Sequence, residues 1–329
     1  MSNKILKIFL VIPTIRDLRF LKSWKNKFSQ CHLIVIEDKN DCDVEVSSQK
    51  FASVNIYTRS DIKKEFGSNS WIFSRKNAGI RTYGFYKAHK LGADIIITID
   101  DDCYPTGDDL VQGHLDNLNF KAPEKWINTY PNPSWIYTRG IPYKVRDKVK
   151  ICISHGLWSG ALDLDGRVES KLPKLLEEKK YPPIRQIIPF NYYYPMCSMN
   201  LAFSREITPI MFFPMMGKKP DGTPWSYDRY DDIWAGIFSK KIMDHLGLGV
   251  VNGSPFVNHK KVSKARENHK KELTGASINE KLWKLVDEVK LTKDTPKDCY
   301  IELAKKIKFP DNKYFIQLKK AMLIWAKLF

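Results

Sequence analysis

The amino-acid sequence predicts an α/β fold with a mostly parallel central sheet. Apolar segments of strand length alternate with segments whose apolar residues recur at helical spacing, which is typical of parallel sheets. The clearest strand, Ile95–Ile99, leads directly into three aspartates, Asp100, Asp101 and Asp102. Ligands of such sheets bind at the carboxyl ends of strands, so the sequence places a candidate site there.

The predicted strands before the aspartates are short, apolar and rich in β-branched residues. They cover residues 4–12, 33–36, 54–57 and 95–99. Two intervening segments have helical spacing, and they cover residues 17–28 and 73–91. Because Pro13, Asp38 and Asp100 each follow a predicted strand, we expect them at the ligand-binding edge of the sheet.

The pattern is less regular in the second half of the chain. Aromatic residues and prolines interrupt it between residues 126 and 194, where residues 171–180 form a charged helix or loop. A strand and an amphipathic helix are predicted beyond this region, and they cover residues 199–203 and 231–246.

The tail of the chain, from residue 278 to 329, is predicted to be helical and basic, with a break at Pro310. The sequence contains no internal repeat and no low-complexity linker. We therefore predict a catalytic domain over residues 1–275 and a helical C-terminal extension, residues 276–329, packed on it.

The composition indicates a globular protein, because 43% of its 329 residues are hydrophobic and 28% are charged. No stretch approaches the roughly 20 apolar residues that span a bilayer, and no secretory cleavage site follows the N-terminus. The six cysteines are scattered without a C-x-x-C pair, which fits free thiols in a reducing compartment. These features predict a cytoplasmic protein.

The net charge of +17 favours partners that carry phosphate. No nucleic-acid-binding motif accompanies this charge, so we predict no nucleic-acid partner. Residues 305–329 alternate lysines with aromatic and aliphatic residues. Packing of the apolar face on the catalytic domain or at a subunit interface is the favoured interpretation, and peripheral contact with the cytoplasmic face of an anionic membrane is the alternative.

The aspartate triplet is the strongest chemical signal in the sequence. Carboxylates two residues apart after a buried strand, such as Asp100 and Asp102, can both approach a divalent cation that also binds phosphate oxygens. The alternative is a solvated acidic turn. We favour the site, because adjacent like charges are costly without a counter-ion.

Basic and amide side chains near the start of the predicted helix 73–91 are suited to a diphosphate. A solvated basic face would have the same pattern. Together with residues that follow the first two strands and with two of the aspartates, they form the predicted nucleotide-sugar-binding set. Its members are Pro13, Thr14, Arg16, Asp38, Arg75, Asn77, Arg81, Asp100 and Asp101.

Two further pairs of residues have more than one interpretation. Asp231 and Asp232 begin a predicted helix, where they either favour the helix dipole or bind sugar hydroxyls and act as a base. Arg139 and Arg146 lie seven residues apart and by their chemistry are anion binders, since a protonated guanidinium is a poor nucleophile.

His259 is a lone histidine after a strand, and such residues are usually not ligands.

Seven ordered motifs together resemble the reversibly glycosylated polypeptides, the UDP-arabinopyranose mutases of glycosyltransferase family 75. The resemblance covers nearly the whole chain. The matching segments are ITIDDDC (97–103), RGIPY (139–143), SHGLW (154–158), YPMCSMNLAF (194–203), RYDDIWAG (229–236), DHLGLGV (244–250) and CYIELAK (299–305).

This resemblance implies a GT-A-type, Rossmann-like nucleotide-binding fold that uses a divalent metal, commonly Mn²⁺ with Mg²⁺ as the alternative. The triplet would bind metal and nucleotide-sugar, and His259 would complete the metal site with Asp100 and Asp102. Arg139 corresponds to the arginine that becomes reversibly glycosylated, and Arg146 to a second important arginine. Asp231 and Asp232 would act with them on the sugar.

The reaction implied by the resemblance is the interconversion of UDP-arabinopyranose and UDP-arabinofuranose. An enzyme group would take the sugar from its C1 atom, and bound UDP would attack again after the ring changes size. The alternatives are transfer of a sugar to a polysaccharide or lipid-linked acceptor, and a non-catalytic scaffold. Homo- or hetero-oligomers are expected.

Two segments depart from the family pattern. Ser198 replaces a glycine, and residues 217–228 differ from the short glycine-rich loop that is expected before Asp231 and Asp232. The identity of the sugar therefore stays open.

Overall fold

One sheet runs through the part of the chain that the computed structural model describes, which is residues 5–39, 50–129, 136–169, 171, 184–260 and 263–329. Its strands, in chain order, are β1 (Ile8–Thr14), β2 (His32–Glu37), β3 (Ser53–Tyr57), β4 (Ile95–Ile99), β5 (Cys103–Pro105), β6 (Lys121–Ala122), β7 (Val149–Gly160), β8 (Arg185–Ile187), β9 (Asn200–Ser204) and β10 (Leu248–His259).

The first half of the sheet is parallel, with the strand order β3-β2-β1-β4. Strands β1, β2 and β4 are almost entirely buried, because helices and loops cover both faces of the sheet. Strands buried on both faces have continuous apolar sequences, and these runs predicted them. The predicted α/β fold class is confirmed.

The second half of the sheet brings the C-terminal end of a long strand, β10, close to the aspartate triplet. Strand β9 pairs antiparallel with β4 and β7, β10 lies parallel to β7, and β5 pairs antiparallel with β10. The β5–β10 register places His259 opposite Cys103, the residue after Asp102. Strand β7 was not predicted, and β10 was predicted only as a strand without bounds that ends before His259, because glycine, proline and polar residues interrupt their apolar runs.

Nine α-helices lie in the described parts of the chain. They are α1 (Arg59–Phe66), α2 (Arg81–Lys90), α3 (Leu110–Leu118), α4 (Gly166–Glu169), α5 (Asp231–His245), α6 (Ala265–Glu272), α7 (Ala276–Asp287), α8 (Pro296–Lys306) and α9 (Lys313–Ala326). Short 3-10 helices cover Arg19–Trp24, Gly67–Ile72, Ala78–Ile80, Tyr143–Val145 and Arg205–Ile210.

The predicted helix over residues 73–91 begins later than the pattern indicated. Lys76 has a positive φ of 51°, which is incompatible with a continuing α-helix, and Asn77 caps a short 3-10 turn. Regular helix starts only at Arg81. The predicted helix over residues 17–28 is likewise a 3-10 helix, Arg19–Trp24. Of the charged segment 171–180, residues 172–180 lie outside the described residues.

The C-terminal helices share one hydrophobic core with the sheet. Helices α7, α8 and α9 contribute buried side chains to the cluster that includes Phe203 of β9 and Val250 of β10. Trp325 of α9 is fully buried, donates its indole N–H to the Pro209 carbonyl at 3.0 Å and packs on Phe212. The apolar face of α9 therefore packs on the catalytic domain, as the favoured interpretation of residues 305–329 expected.

Within the described residues, no helix is both long and apolar enough to cross a bilayer. The described cysteines are buried free thiols, as expected from their spacing, and they are Cys31, Cys103, Cys152, Cys197 and Cys299.

Because these helices and the sheet share a core, we predict that Trp325→Ala destabilises the whole protein by about 3–5 kcal/mol in one cooperative transition. Chemical denaturation followed by circular dichroism and fluorescence measures this. Trp283→Ala on α7, where the side chain is 40% exposed, is the matched control and should cost much less. A separate early transition of the C-terminal helices would contradict the shared core.

Candidate functional site

A cleft of about 190 Å³ opens at the carboxyl ends of β1, β2 and β4. The loop before α2 forms its opposite wall. The lining residues are Pro13, Thr14, Ile15, Arg16, Asp38, Lys76, Asn77, Ala78, Ile80, Arg81, Asp100 and Asp101. Every residue of the predicted nucleotide-sugar-binding set lines this cleft except Arg75.

Arg75 is directed away from the cleft. Lys76 takes the position on the cleft wall that was expected of Arg75. The Arg75 guanidinium donates to the Pro220 carbonyl at 2.9 Å, and its backbone pairs with Lys218. The exposed Lys76 lines the cleft. The left-handed turn at Lys76 sets this exchange of faces, and residue pattern alone did not indicate it.

Asp38 is a buried carboxylate on the cleft wall beyond β2. Arg59 donates to its Oδ1 at 2.7 Å, and the backbone N–H of Lys76 donates to Oδ2. Burial raises the pKa of Asp38, while the Arg59 charge and these hydrogen bonds oppose the rise. Asp38 thereby ties the loop before α2 to the parallel strands.

Asp101 joins the triplet to the first strand. It accepts a hydrogen bond from the Thr14 hydroxyl at 2.8 Å, and an Arg16 Nη2 lies 2.8 Å from its other oxygen. The same nitrogen lies 3.6 Å from Asp102. Because the Arg16 side chain is 42% exposed, its charge is also available to an anion in the cleft.

Asp100 rests on a buried cation. Arg81 is fully buried and forms an ion pair with Asp100 through its Nη2. Its other donors bind Thr98 and the carbonyls of Ala78 and Ser198. Although Arg81 lines the cleft, its guanidinium donates to protein atoms. Its position therefore differs from that of a direct ligand of a diphosphate.

Asp102 and His259 present two candidate metal ligands. The Oδ1 atom of Asp102 is buried without a hydrogen-bond partner and lies 3.7 Å from His259 Nε2. The Ala161 carbonyl accepts from His259 Nδ1 at 2.8 Å, so Nε2 carries the free lone pair. Burial and the Asp100 charge raise the pKa of Asp102 to about 6.

The donor set fits a divalent cation that takes its remaining ligands from water and phosphate. Across the described ranges, no three His, Cys, Asp or Glu side chains form a complete metal-binding group. Asp102 and His259 nevertheless place an unpartnered carboxylate oxygen and an oriented imidazole nitrogen 3.7 Å apart.

The acid pair, Asp231 and Asp232, begins α5 beside the cleft. Asn77, a lining residue, donates to Asp231 Oδ1 at 3.3 Å, while Asp231 Oδ2 is buried without a partner. Ser198 donates to Asp232 Oδ2 from both its N–H and its hydroxyl, each at 3.0 Å. The structure thus brings the acid pair against the same loop that lines the cleft.

The two carboxyls of the acid pair titrate differently. Burial and the Asp232 charge raise the pKa of Asp231 to about 8. Burial and the charge of Asp163 raise that of Asp232 to about 6, against the donation from Ser198. Both carboxyls therefore favour the protonated form more than a free aspartate does, Asp231 more strongly than Asp232. Asp163, which sequence reasoning missed, follows β7 in a loop without a recognisable motif.

Arg139 and Arg146 lie in a turn whose residues do not line the cleft. Arg139 is exposed. The Arg146 guanidinium lies over the rings of Tyr143 and Tyr137, 4.1 and 5.0 Å from their centroids, and donates to the Ile141 carbonyl. The structure does not bring this arginine pair together with the aspartates.

A sequence profile described as "Reversibly glycosylated polypeptide" matches residues 5–329. The chain belongs to this family. It is 37% identical over 333 residues to UDP-arabinopyranose mutase 1 of Arabidopsis thaliana, covering 97% of this chain and 90% of that protein. It is 34% identical to UDP-arabinopyranose mutase 1 of Oryza sativa subsp. japonica, with 97% and 89% covered.

A solved structure of glucosyl-3-phosphoglycerate synthase from Mycobacterium tuberculosis is more distantly similar. It contains Mn²⁺, UDP-glucose and phosphoglyceric acid. The identity is 14% and the TM-score is 0.44, with 84% of this chain and 80% of that chain covered.

We predict that Lys76→Ala weakens UDP binding about fivefold, on the order of 1 kcal/mol, because an exposed charge on the cleft wall is lost. Titration calorimetry with UDP and Mn²⁺ measures this, and the difference should shrink at high salt. Lys90→Ala removes an equal charge at the far end of α2 and should leave affinity unchanged. Equal losses in both variants would assign the effect to net charge alone.

We predict that Asp231→Asn stabilises the protein at high pH. The raised pKa means that the folded protein keeps a proton that the unfolded chain releases near pH 4. This contribution to stability is full below pH 4 and is lost as the pH rises through about 8. The variant should therefore gain on the order of 2 kcal/mol or more at pH 9, with the gain shrinking toward pH 4.

Denaturant unfolding at pH 5, 7 and 9 tests this prediction. Asp311→Asn, which changes an exposed aspartate, is the control and should show no comparable trend. A gain for Asp231→Asn that is independent of pH would mean that this carboxyl is ionised throughout.

Proposed function

We propose that this protein is a metal-dependent UDP-sugar mutase that interconverts UDP-arabinopyranose and UDP-arabinofuranose. The observation that carries the proposal is that the aspartate triplet and the acid pair lie close to the same loop of the cleft. The aspartate triplet lies at the strand ends, and the acid pair contacts Asn77 of that loop. The relatives named UDP-arabinopyranose mutase match this chain over nearly its whole length.

The leaving diphosphate is assigned to the triplet side of the cleft. Asp102 and His259 would hold Mn²⁺, with Mg²⁺ as the alternative, and Asp100 would support them through the oxygen that Arg81 does not bind. A metal there neutralises charge on the departing nucleoside diphosphate. Arg16 and Lys76 place two further positive charges at the cleft, which retain UDP while the sugar is free of it.

The acid pair is assigned to the sugar. When the bond from C1 to the diphosphate oxygen breaks, its electron pair leaves with UDP, and C1 bonds to a group on the enzyme. A change of ring size then exchanges one ring oxygen for another hydroxyl. Asp231 supplies the proton that the released ring oxygen needs, and ionised Asp232 accepts the proton of the attacking hydroxyl. UDP then attacks C1, and the bond from C1 to the enzyme group breaks with its electron pair staying on that group. A proton returns from Asp232 to Asp231, which completes the cycle.

The enzyme group that holds the sugar is the least constrained part of the proposal. Family resemblance assigns it to Arg139, with Arg146 as a second participant. Both lie in a turn that does not line the cleft, so this route requires the turn to approach the acid pair. The same observation favours a second candidate function, in which the sugar is transferred to a polysaccharide or lipid-linked acceptor.

Assembly and membrane contact belong to the proposal as well. Exposed lysines on α8, on α9 and in the linker between them, including Lys305, Lys320 and Lys308, leave a basic surface outside the buried face of α9. We propose peripheral binding to an anionic membrane through this surface, and a homo- or hetero-oligomer in the cytoplasm.

Incubation of the protein with UDP-arabinopyranose and Mn²⁺, followed by chromatography of the nucleotide sugar, tests the function. We expect UDP-arabinofuranose to appear, EDTA to abolish its formation, and added Mn²⁺ to restore it. Asp102→Asn should lower the apparent Mn²⁺ affinity at least about tenfold, because the proposed carboxylate ligand loses its negative charge.

Other outcomes of this experiment are equally informative. Turnover that needs an added acceptor would support the transferase in place of the mutase. Conversion that persists in EDTA and in Asp102→Asn would contradict the metal site. Tight UDP binding without either reaction would leave only the scaffold hypothesis.

A further inference from the structure

A chain of buried contacts connects the aspartate triplet to the acid pair. We call it the buried bridge, and it consists of Asp100, Arg81, Ser198 and Asp232. Arg81 lies at the start of α2, Ser198 just before β9, and Asp232 in the first turn of α5. The bridge therefore joins three separate segments around the cleft.

The Arg81 guanidinium is held in a fixed orientation. Its Nη1 donates to the Thr98 hydroxyl at 2.8 Å and to the Ser198 carbonyl at 2.7 Å, while Nη2 pairs with Asp100. Its Nε donates to the Ala78 carbonyl at 3.0 Å. A planar fork with donors in these directions cannot be replaced by the single ammonium of lysine.

Ser198 transmits this orientation to the acid pair. While its carbonyl accepts from Arg81, its N–H and hydroxyl both donate to Asp232. The segment is held on the other side, because the N–H of Cys197 donates to His155 Nε2 at 2.9 Å. Ser198 is itself buried, so water does not compete for these contacts.

The charges along the bridge depend on one another. The carboxylates of Asp100, Asp232 and Asp231 all raise the pKa of Arg81 against the opposing effect of its burial. In the other direction, the Arg81 charge lowers the pKa of Asp232. A buried cation between two acidic groups is stable only with both, since losing either partner leaves charge uncompensated.

We propose that Arg81 and Ser198 are positioning residues that set the separation between the leaving-group side and the sugar side of the cleft. The bridge couples UDP binding at the triplet to the placement of Asp232 against the sugar. This inference rests on the proposed function and adds residues that touch neither the diphosphate nor the sugar. A misplacement of about 1 Å in such a site costs about 100-fold in rate.

A merely structural Arg81 would affect stability without coupling the two sides. Lys240 provides the comparison, because it is another buried cation, on α5 itself. It binds Asp244 at 2.5 Å and the Pro189 carbonyl at 2.9 Å. Neither it nor these partners line the cleft. Lys240→Gln therefore reports the effect of losing a buried cation remote from the site.

Hydrogen exchange with mass spectrometry measures the coupling without requiring turnover. In the full-length protein, UDP with Mn²⁺ should slow exchange in the peptide that covers residues 228–236, at the start of α5. Arg81→Lys should abolish this response while the peptides of β4 still respond. Lys240→Gln should retain it. An unchanged response in Arg81→Lys, or none in the wild type, would overturn the proposal.

Kinetics supply the second measurement. With UDP-arabinopyranose, Arg81→Lys should lower kcat about 100-fold and change KM less than about threefold. Ser198→Gly, which removes the hydroxyl donor alone, should lower kcat about tenfold, and the double variant should be less impaired than the product of both. A kcat for Arg81→Lys equal to that of Lys240→Gln would refute the positioning role.

The two proposals fail in distinguishable ways. A wild-type protein that converts no UDP-sugar but shows the exchange response would contradict the mutase and leave the coupling intact. Full mutase activity in Arg81→Lys would leave the proposed function standing and remove the bridge. Thermal melts of each variant confirm that the comparison concerns folded protein.

Discussion

Three adjacent carboxylates at the end of one buried strand are the constraint on which this cleft depends. Their mutual repulsion is costly in a site of low dielectric constant, so each must have its own counter-charge. Asp100 has the buried Arg81, and Asp101 has Arg16 and the Thr14 hydroxyl. Asp102 has an oxygen without a hydrogen-bond partner, beside His259. In the proposed function, this inequality leaves Asp100 and Asp101 as supporting residues and Asp102 as a metal ligand.

The sheet topology is what makes this division possible. The parallel half delivers the ends of β1, β2 and β4 to one edge, as the apolar runs predicted. The later strands return to the same edge from distant sequence, and the β5–β10 pairing brings His259 to the triplet. Pairings between residues so far apart depend on long-range packing, which local periodicity does not encode. Family resemblance, and not residue pattern, led us to expect His259 beside the triplet.

Local backbone geometry limited the prediction in the same way. The segment around residues 75–81 was correctly expected at the cleft, yet its φ angle at Lys76 reverses which basic side chain faces the ligand. Arg81 was expected at the diphosphate and is instead a buried partner of Asp100. Glycine and proline residues made β7 and β10 hard to recognise in the sequence. Long-range packing explains one of these glycines, because the Asn200 side chain fills the space over Gly156.

The acid pair adds two buried carboxyls with raised pKa values beside the loop that lines the cleft. Two neighbouring carboxyls whose pKa values are separated can donate and accept protons at the same pH. Their connection to the triplet through Arg81 and Ser198 makes the two sides of the cleft a single unit.

The central claim is that one cleft holds the diphosphate at the triplet and the sugar at the acid pair. A crystal structure of the protein with UDP and Mn²⁺ tests it most directly. We expect anomalous density for Mn²⁺ between Asp102 and His259, with the diphosphate beside Arg16. UDP bound instead at Arg139 and Arg146, with neither UDP nor Mn²⁺ in the cleft, would contradict it.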